Sequence, residues 1–158
     1  MMRRSLFVFL LLAGSGFAQN YSGPRPPQPD VPYIKQADNL IATEVADAKE
    51  EKRKKETYFV IPGANSTART PLASPIFLVK TDKLDPSKLQ LFKVTSKNGQ
   101  REILFSKKDK QVAMPLRLDV NRVGSDNLYQ IEVDDTLGNG EYSLTPEGSN
   151  QVFCFQVY

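Results

Sequence analysis

From Thr57 to the C-terminus, short apolar runs alternate with polar positions. Leu116, Leu118 and Val120 fall on one side of an extended chain, with Arg117, Asp119 and Asn121 on the other. Tyr129, Ile131 and Val133 oppose Gln130, Glu132 and Asp134 in the same way. Phe153, Phe155 and Val157 oppose Cys154, Gln156 and Tyr158. A side-chain period of two is that of a β-strand with one dry and one wet face. The pattern predicts strands over Tyr58–Ile61, Ile76–Lys80, Lys88–Thr95, Gln100–Ser106, Pro115–Asn121, Asn127–Asp134, Glu141–Thr145 and Gln151–Tyr158. Turn residues separate them: Pro62-Gly63, Asp85-Pro86, Asn98-Gly99, 107–110, 124–126, 138–140 and 146–150. Asn98-Gly99 is the strongest hairpin signal, because both central residues of a type I′ turn need positive φ. Strands of this spacing, each wet on one face, suit antiparallel sheets packed as a sandwich. The expected fold class is all-β, an antiparallel sandwich of seven to eight strands over 57–158.

Before Thr57 the pattern is lost. Thr43 to Glu56 is rich in helix formers, with Thr43 placed to cap, Glu44 and Asp47 near the start, and Glu50 four residues before Lys54. No apolar residue follows Ala48 until Tyr58, so a helix here would bury little, and solvated coil is the alternative. Residues 33–56 are expected as a charged, partly helical segment. Residues 19–32 hold five prolines, which remove backbone donors and fix φ, so an extended, solvated tail is expected. Arg3 and Arg4, the apolar run Leu6–Ala13 and the small-residue site Gly16-Phe17-Ala18 read as a signal peptide over 1–18, cleaved before Gln19. The run is far shorter than the ~20 residues of a spanning helix. The chain is therefore expected to be exported, secreted or periplasmic, with no membrane span in the mature form.

Asp134–Thr145 reads Asp-Asp-Thr-Leu-Gly-Asn-Gly-Glu-Tyr-Ser-Leu-Thr between two predicted strands. It resembles the E–F corner of immunoglobulin-like and fibronectin type III-like sandwiches, with Leu137, Gly140 and Tyr142 in the corner positions. The resemblance implies that the Tyr142 hydroxyl bonds the backbone around Asp135 to Leu137. It also implies that 127–134, 141–145 and 151–158 are strands E, F and G. With no Trp, and one Cys where two would bridge the sheets, an antibody-type domain is excluded and only the architecture carries over.

Composition narrows the chemistry. The chain holds 21 basic and 18 acidic residues, and cleavage after Ala18 removes two arginines, leaving a charge near +1. That is not the balance of a dedicated nucleic-acid binder, and no nucleic-acid partner is expected. There is no histidine, which excludes Ser-His-Asp and Cys-His catalysis and an imidazole base. A zinc site would lack its usual ligands, and no phosphate loop is present. No catalytic residue, metal ligand or cofactor is assigned. Cys154, flanked by Phe153 and Phe155, reads as a small buried apolar residue, with an intermolecular bridge or a reactive thiol as the sharper alternatives. Glu132, Asp134, Asp135, Glu141 and Glu147 could serve a carboxylate-only hydrolase if two of them faced each other in a cleft. Asp134, Asp135 and Asn139 could offer oxygen ligands to calcium, though without the alternating pattern of a calcium loop. Lys80, Lys83, Lys88, Lys93, Lys97, Arg101, Lys107, Lys108 and Lys110 could form a basic patch, or protect strand edges. Asn20-Tyr-Ser22 and Asn65-Ser-Thr67 are glycosylation sequons. The function expected is that of an exported, non-enzymatic module with a binding or structural role toward a protein or envelope component. The alternatives are a subunit of an envelope or extracellular assembly joined by strand addition through the last strand, and the carboxylate-dependent hydrolase.

Overall fold

Two sheets satisfy the alternation. The computed structural model describes residues 21–106, 113–124 and 126–158. Its first sheet runs in the order β10 (Leu118–Arg122), β11 (Leu128–Val133), β7 (Ile76–Lys80), β1 (Tyr33–Gln36) and β2 (Asn39–Ala42). The second runs β3 (Glu44–Asp47), β13 (Gln151–Val157), β12 (Gly140–Pro146), β8 (Leu89–Lys97), β9 (Gln100–Ser106), β5 (Glu56–Pro62) and β4 (Lys49–Arg53). A short β6 (Arg69–Thr70) lies parallel beside the end of β13. The signal peptide expected at 1–18, Asn20, and Lys107, Lys108 and Lys110 lie outside the described residues.

The second sheet curls into a half-barrel. β3 and β4 stand at opposite ends of its strand order, yet Ala48 alone separates them in the chain. One bent stretch of chain therefore brings the two edges together, and the Ala48 N–H donates to the Asn150 carbonyl at that bend (2.8 Å).

Curling gives the molecule two interiors. Between the sheets lie Ile34, Phe77, Val79, Leu89, Leu91, Ile131, Tyr142, Leu144, Phe153 and Phe155. Phe77 meets Phe155 edge-on at 5.1 Å, and Tyr142 stacks on Phe155 at 5.6 Å, separations at which aromatic pairs attract beyond their burial. On the concave face of the half-barrel lie Ala48, Ile61, Phe92, Val94, Ile103, Val152 and Cys154, with Phe59 and Phe105 partly buried. The first half of β8 and most of β13 are thus dry on both faces. The expected wet face of the last strand is corrected at Val152, which points into the half-barrel beside Cys154, itself buried as its reading as a small apolar residue expects.

Residues 33–53 require the other corrections. They are not helical and not separate from the sandwich. β1 and β2 extend the first sheet, and β3 and β4 are the two ends of the second, so thirteen strands form among the described residues. Charge at β4 suits an edge strand, where its side chains meet solvent and one another. Arg53 pairs with Glu51 and Glu102 at 2.7 Å and lies over the Tyr58 ring at 4.7 Å. The Pro-rich residues 21–32 form no strand or helix, as expected, but they are docked rather than solvated: Pro26 and Pro32 are buried. The last strand is no open edge either. β12 occupies one side of β13, and β3 and then β6 the other, which closes the route to assembly through that strand.

Candidate functional site

Among the described residues, the half-barrel is sealed at one end and open at the other. Antiparallel pairing puts the start of β9 beside the end of β5, so Arg101 enters the concave side opposite Ile61. Its side chain is 1% exposed, and every hydrogen bond it makes ties another segment to this end. Nε donates to the Gly63 carbonyl at 2.9 Å. Nη2 donates to the Pro62 carbonyl at 2.6 Å and to Glu44 Oε1 of β3 at 2.5 Å. Nη1 donates to Ser66 Oγ at 2.7 Å. Glu141 of β12 closes the cluster, its Oε2 accepting from the Ser66 N–H (3.0 Å) and hydroxyl (2.5 Å) and standing 3.9 Å from Nη1. Glu44 Oε2 also takes the Thr67 N–H at 2.7 Å, so the loop 62–67 is fastened across the end. A buried guanidinium needs this many acceptors, because a charge withdrawn from water without them is strongly unfavourable. Among the described residues, Glu141 Oε1 is the buried side-chain oxygen without a hydrogen-bond partner.

Cys154 lies one step further in. Burial, the largest influence, pushes its thiol up to about 11, while the Arg101 cation acts against it. Such a thiol is protonated at neutral pH and a poor nucleophile.

The opposite end is lined by apolar side chains and, among the described residues, is open. A pocket of about 280 Å³ is floored by Phe59, Phe92, Phe105, Ile103 and Val152. Phe105 stands edge-on to Phe59 (5.1 Å) and to Phe92 (5.4 Å), so the three rings brace one another. Gln90, Thr145 and the β12–β13 turn through Asn150 form a polar rim. β12 runs from one end to the other, with Glu141 at the sealed end and Glu147 on the rim. At about 3.4 Å per residue they stand roughly 20 Å apart. Paired glycosidase carboxyls lie within about 5–9.5 Å, so these two do not form such a pair.

The remaining candidate residues are dispersed. Glu132 accepts from Gln130 (2.6 Å) on the first sheet. Asp134 lies 3.9 Å from Arg117, whose N–H donates to Asp135 at 3.4 Å. No group of three acidic or thiol side chains placed to hold a metal occurs among the described residues. Arg101, counted in the basic run, is an interior group and not part of any surface patch. Leu137 is buried, Gly140 opens β12 with φ of 152°, and the Tyr142 hydroxyl donates to the Gly138 carbonyl at 2.8 Å, one residue beyond the stretch that the corner implies. The sequence reading missed the Arg101–Glu44–Glu141 cluster. The available signal was alternation in Gln100–Ser106, which puts Arg101 on the face of Ile103 and Phe105. Among the described residues, no helix is long and apolar enough to cross a membrane. Comparison with protein-family profiles, curated proteins and solved structures finds no match.

Proposed function

We propose that the chain is an exported binding module without catalytic chemistry of its own, and that a small, largely apolar ligand enters the half-barrel through its aromatic mouth. The observation that carries this reading is the pocket of about 280 Å³, floored by three phenyl rings and rimmed by polar groups, in a half-barrel whose far end is plugged by Arg101. Barrel mouths are favoured ligand sites, and small-molecule pockets combine apolar walls with a few polar groups. The volume is at the small end of such pockets, about nine waters at ~30 Å³ each, so the ligand is of fragment size. Water facing this floor finds few partners, and an apolar group displaces it favourably.

The immunoglobulin-like build has two supports. β1-β7-β11-β10 opposite β13-β12-β8-β9 follows the A-B-E-D and G-F-C order of those sandwiches, and the Tyr142 hydroxyl ties down the corner. Export is supported by the residue pattern of 1–18. The absence of histidine and the separation of Glu141 from Glu147 support a non-catalytic role.

Calorimetric titration with benzyl alcohol tests the site. Saturable binding is expected, weakened at least tenfold in Gln90→Trp, which places an indole in the mouth. Equal heats from both proteins would refute it. Sequencing of chain recovered outside the cytoplasm should begin at Gln19, and a chain retaining Met1 inside the cell would refute export.

A further inference from the structure

Residues 21–32 pair with no strand, yet one carboxylate fixes them. Asp30 holds a left-handed φ of 60°, and its N–H donates to the Lys80 carbonyl at 2.8 Å. Its Oδ1 accepts from three successive backbone N–H groups: Asp82 at 2.7 Å, Lys83 at 2.9 Å and Leu84 at 2.9 Å. Lys83 N–H also reaches Oδ2 at 3.1 Å. Convergent amides of this kind form a concavity for an oxyanion. Burial would raise the Asp30 carboxyl, but the amides of Leu84, Asp82 and Lys83 and the Lys83 cation outweigh it and hold the group below the usual carboxylate range.

Other contacts also hold this segment: Pro26 and Pro32 are buried, the Thr43 N–H donates to the Pro32 carbonyl at 3.1 Å, and the Lys35 cation lies over the Tyr21 ring at 6.0 Å. Arg25 pairs with Asp126 and donates to the Tyr21 carbonyl at 3.1 Å. The Pro32 carbonyl accepts from the Thr43 hydroxyl at 2.8 Å. Asp30 and Pro29 face Pro146 and Ser149 across a depression of about 420 Å³, and Pro146 and Ser149 also line the aromatic mouth.

We propose that the Asp82–Leu84 amides are a carboxylate-binding cradle, and that Asp30 occupies it in cis and pins residues 21–32 as a strap beside the mouth. The ligand class is a single carboxylate, whether from the strap or from another molecule. A competing carboxylate offers the amides the same acceptor, and acid removes the acceptor charge. Since the Asp30 carboxyl is depressed in the folded chain, its hold is complete above the ordinary aspartate value of about 3.9 and is lost as pH falls through its lower folded value. Lys83 is the cation acting on Asp30, with Asp82 and Asp85 in the same loop, and Arg25 and Lys80 act on Asp126.

Amide exchange at pH 7, followed by NMR on the chain as recovered with its own N-terminus, tests this apart from any binding at the mouth. In Asp30→Ala, exchange at Asp82, Lys83 and Leu84 should rise at least tenfold, while Leu144 and Phe153 stay protected. Added acetate should then slow exchange at those three amides, and chloride at equal ionic strength should not. Unchanged exchange in Asp30→Ala, or no difference between acetate and chloride, would overturn the proposal. If Leu144 and Phe153 also lose protection, Asp30→Asn, which keeps an acceptor oxygen without the charge, decides it. A rise confined to the three amides upholds the cradle, and no rise overturns it.

Discussion

The space between the sheets and the hollow of the half-barrel are both buried, but they are stabilised differently. The first is apolar throughout, with Phe77, Phe153, Phe155, Leu91 and Leu144 fully enclosed. The second is partly apolar and partly ionic, with Arg101 as buried as any phenylalanine in the first. Apolar burial is non-directional and tolerates rearrangement, whereas a buried guanidinium fixes the partners it needs. The inter-sheet space therefore supplies stability, and the half-barrel supplies a defined shape: a floor, a sealed end and a mouth.

The largest effect that separates the two should come from Arg101. Arg101→Met leaves the buried Glu141 and the half-buried Glu44 without their cation and should cost about 3–5 kcal/mol in urea unfolding. Phe155→Ala should cost a similar ~3–5 kcal/mol by opening a cavity. The two diverge on repair. Adding Glu44→Gln and Glu141→Gln to Arg101→Met should recover more than half of its loss, because the stranded charges are gone. If the triple variant is no better than the single one, the cluster is not held together by charge.

Tyr142→Phe tests the seam between the regions. It keeps the stack on Phe155 and removes the bond to the Gly138 carbonyl, for an expected loss of about 0.5–1.5 kcal/mol by the same unfolding measurement. Glu102 lies on the outer face of the half-barrel. Burial would raise its carboxyl, but Arg53 and Gln100 outweigh this and lower it. Its contribution is present above the ordinary glutamate value and is lost as pH falls through the depressed folded one. Glu102→Gln should therefore cost about 0.2–1 kcal/mol at pH 7 and nothing in strong acid. Asp134→Ala breaks only the exposed pair with Arg117 and should shift stability by less than ~0.5 kcal/mol.

The apolar set between the sheets was legible in the sequence; the hollow of the half-barrel and the strands of 33–53 were not, for reasons that lie in particular residues. Asn98-Gly99 announced its hairpin, and both residues hold positive φ, 52° and 78°. The β1–β2 and β4–β5 hairpins turn at Ala37-Asp38 and Lys54-Lys55, where Ala37 (53°) and Lys54 (58°) take positive φ without a glycine. Pairing in the sheets overrides the cost of those positions and also the helical preference of Thr43–Glu56. Alternation placed Phe153, Phe155 and Val157 inward, but it assigns one dry face per strand. It could not foresee that a sheet curling back on itself would bury Val152 as well, and the burial of Cys154 was legible only from its residue type. Arg101 was read as surface charge because periodicity shows the face a residue shares and not whether that face is covered.

Cys154 reports directly on whether the concave face is a closed interior plugged by the Arg101 cluster. Its labelling by a small disulfide reagent at pH 8 should be slow in the wild-type chain, limited by unfolding, and should speed up at least a hundredfold in Arg101→Met. Labelling of the wild-type thiol at the rate of a free cysteine would contradict the account.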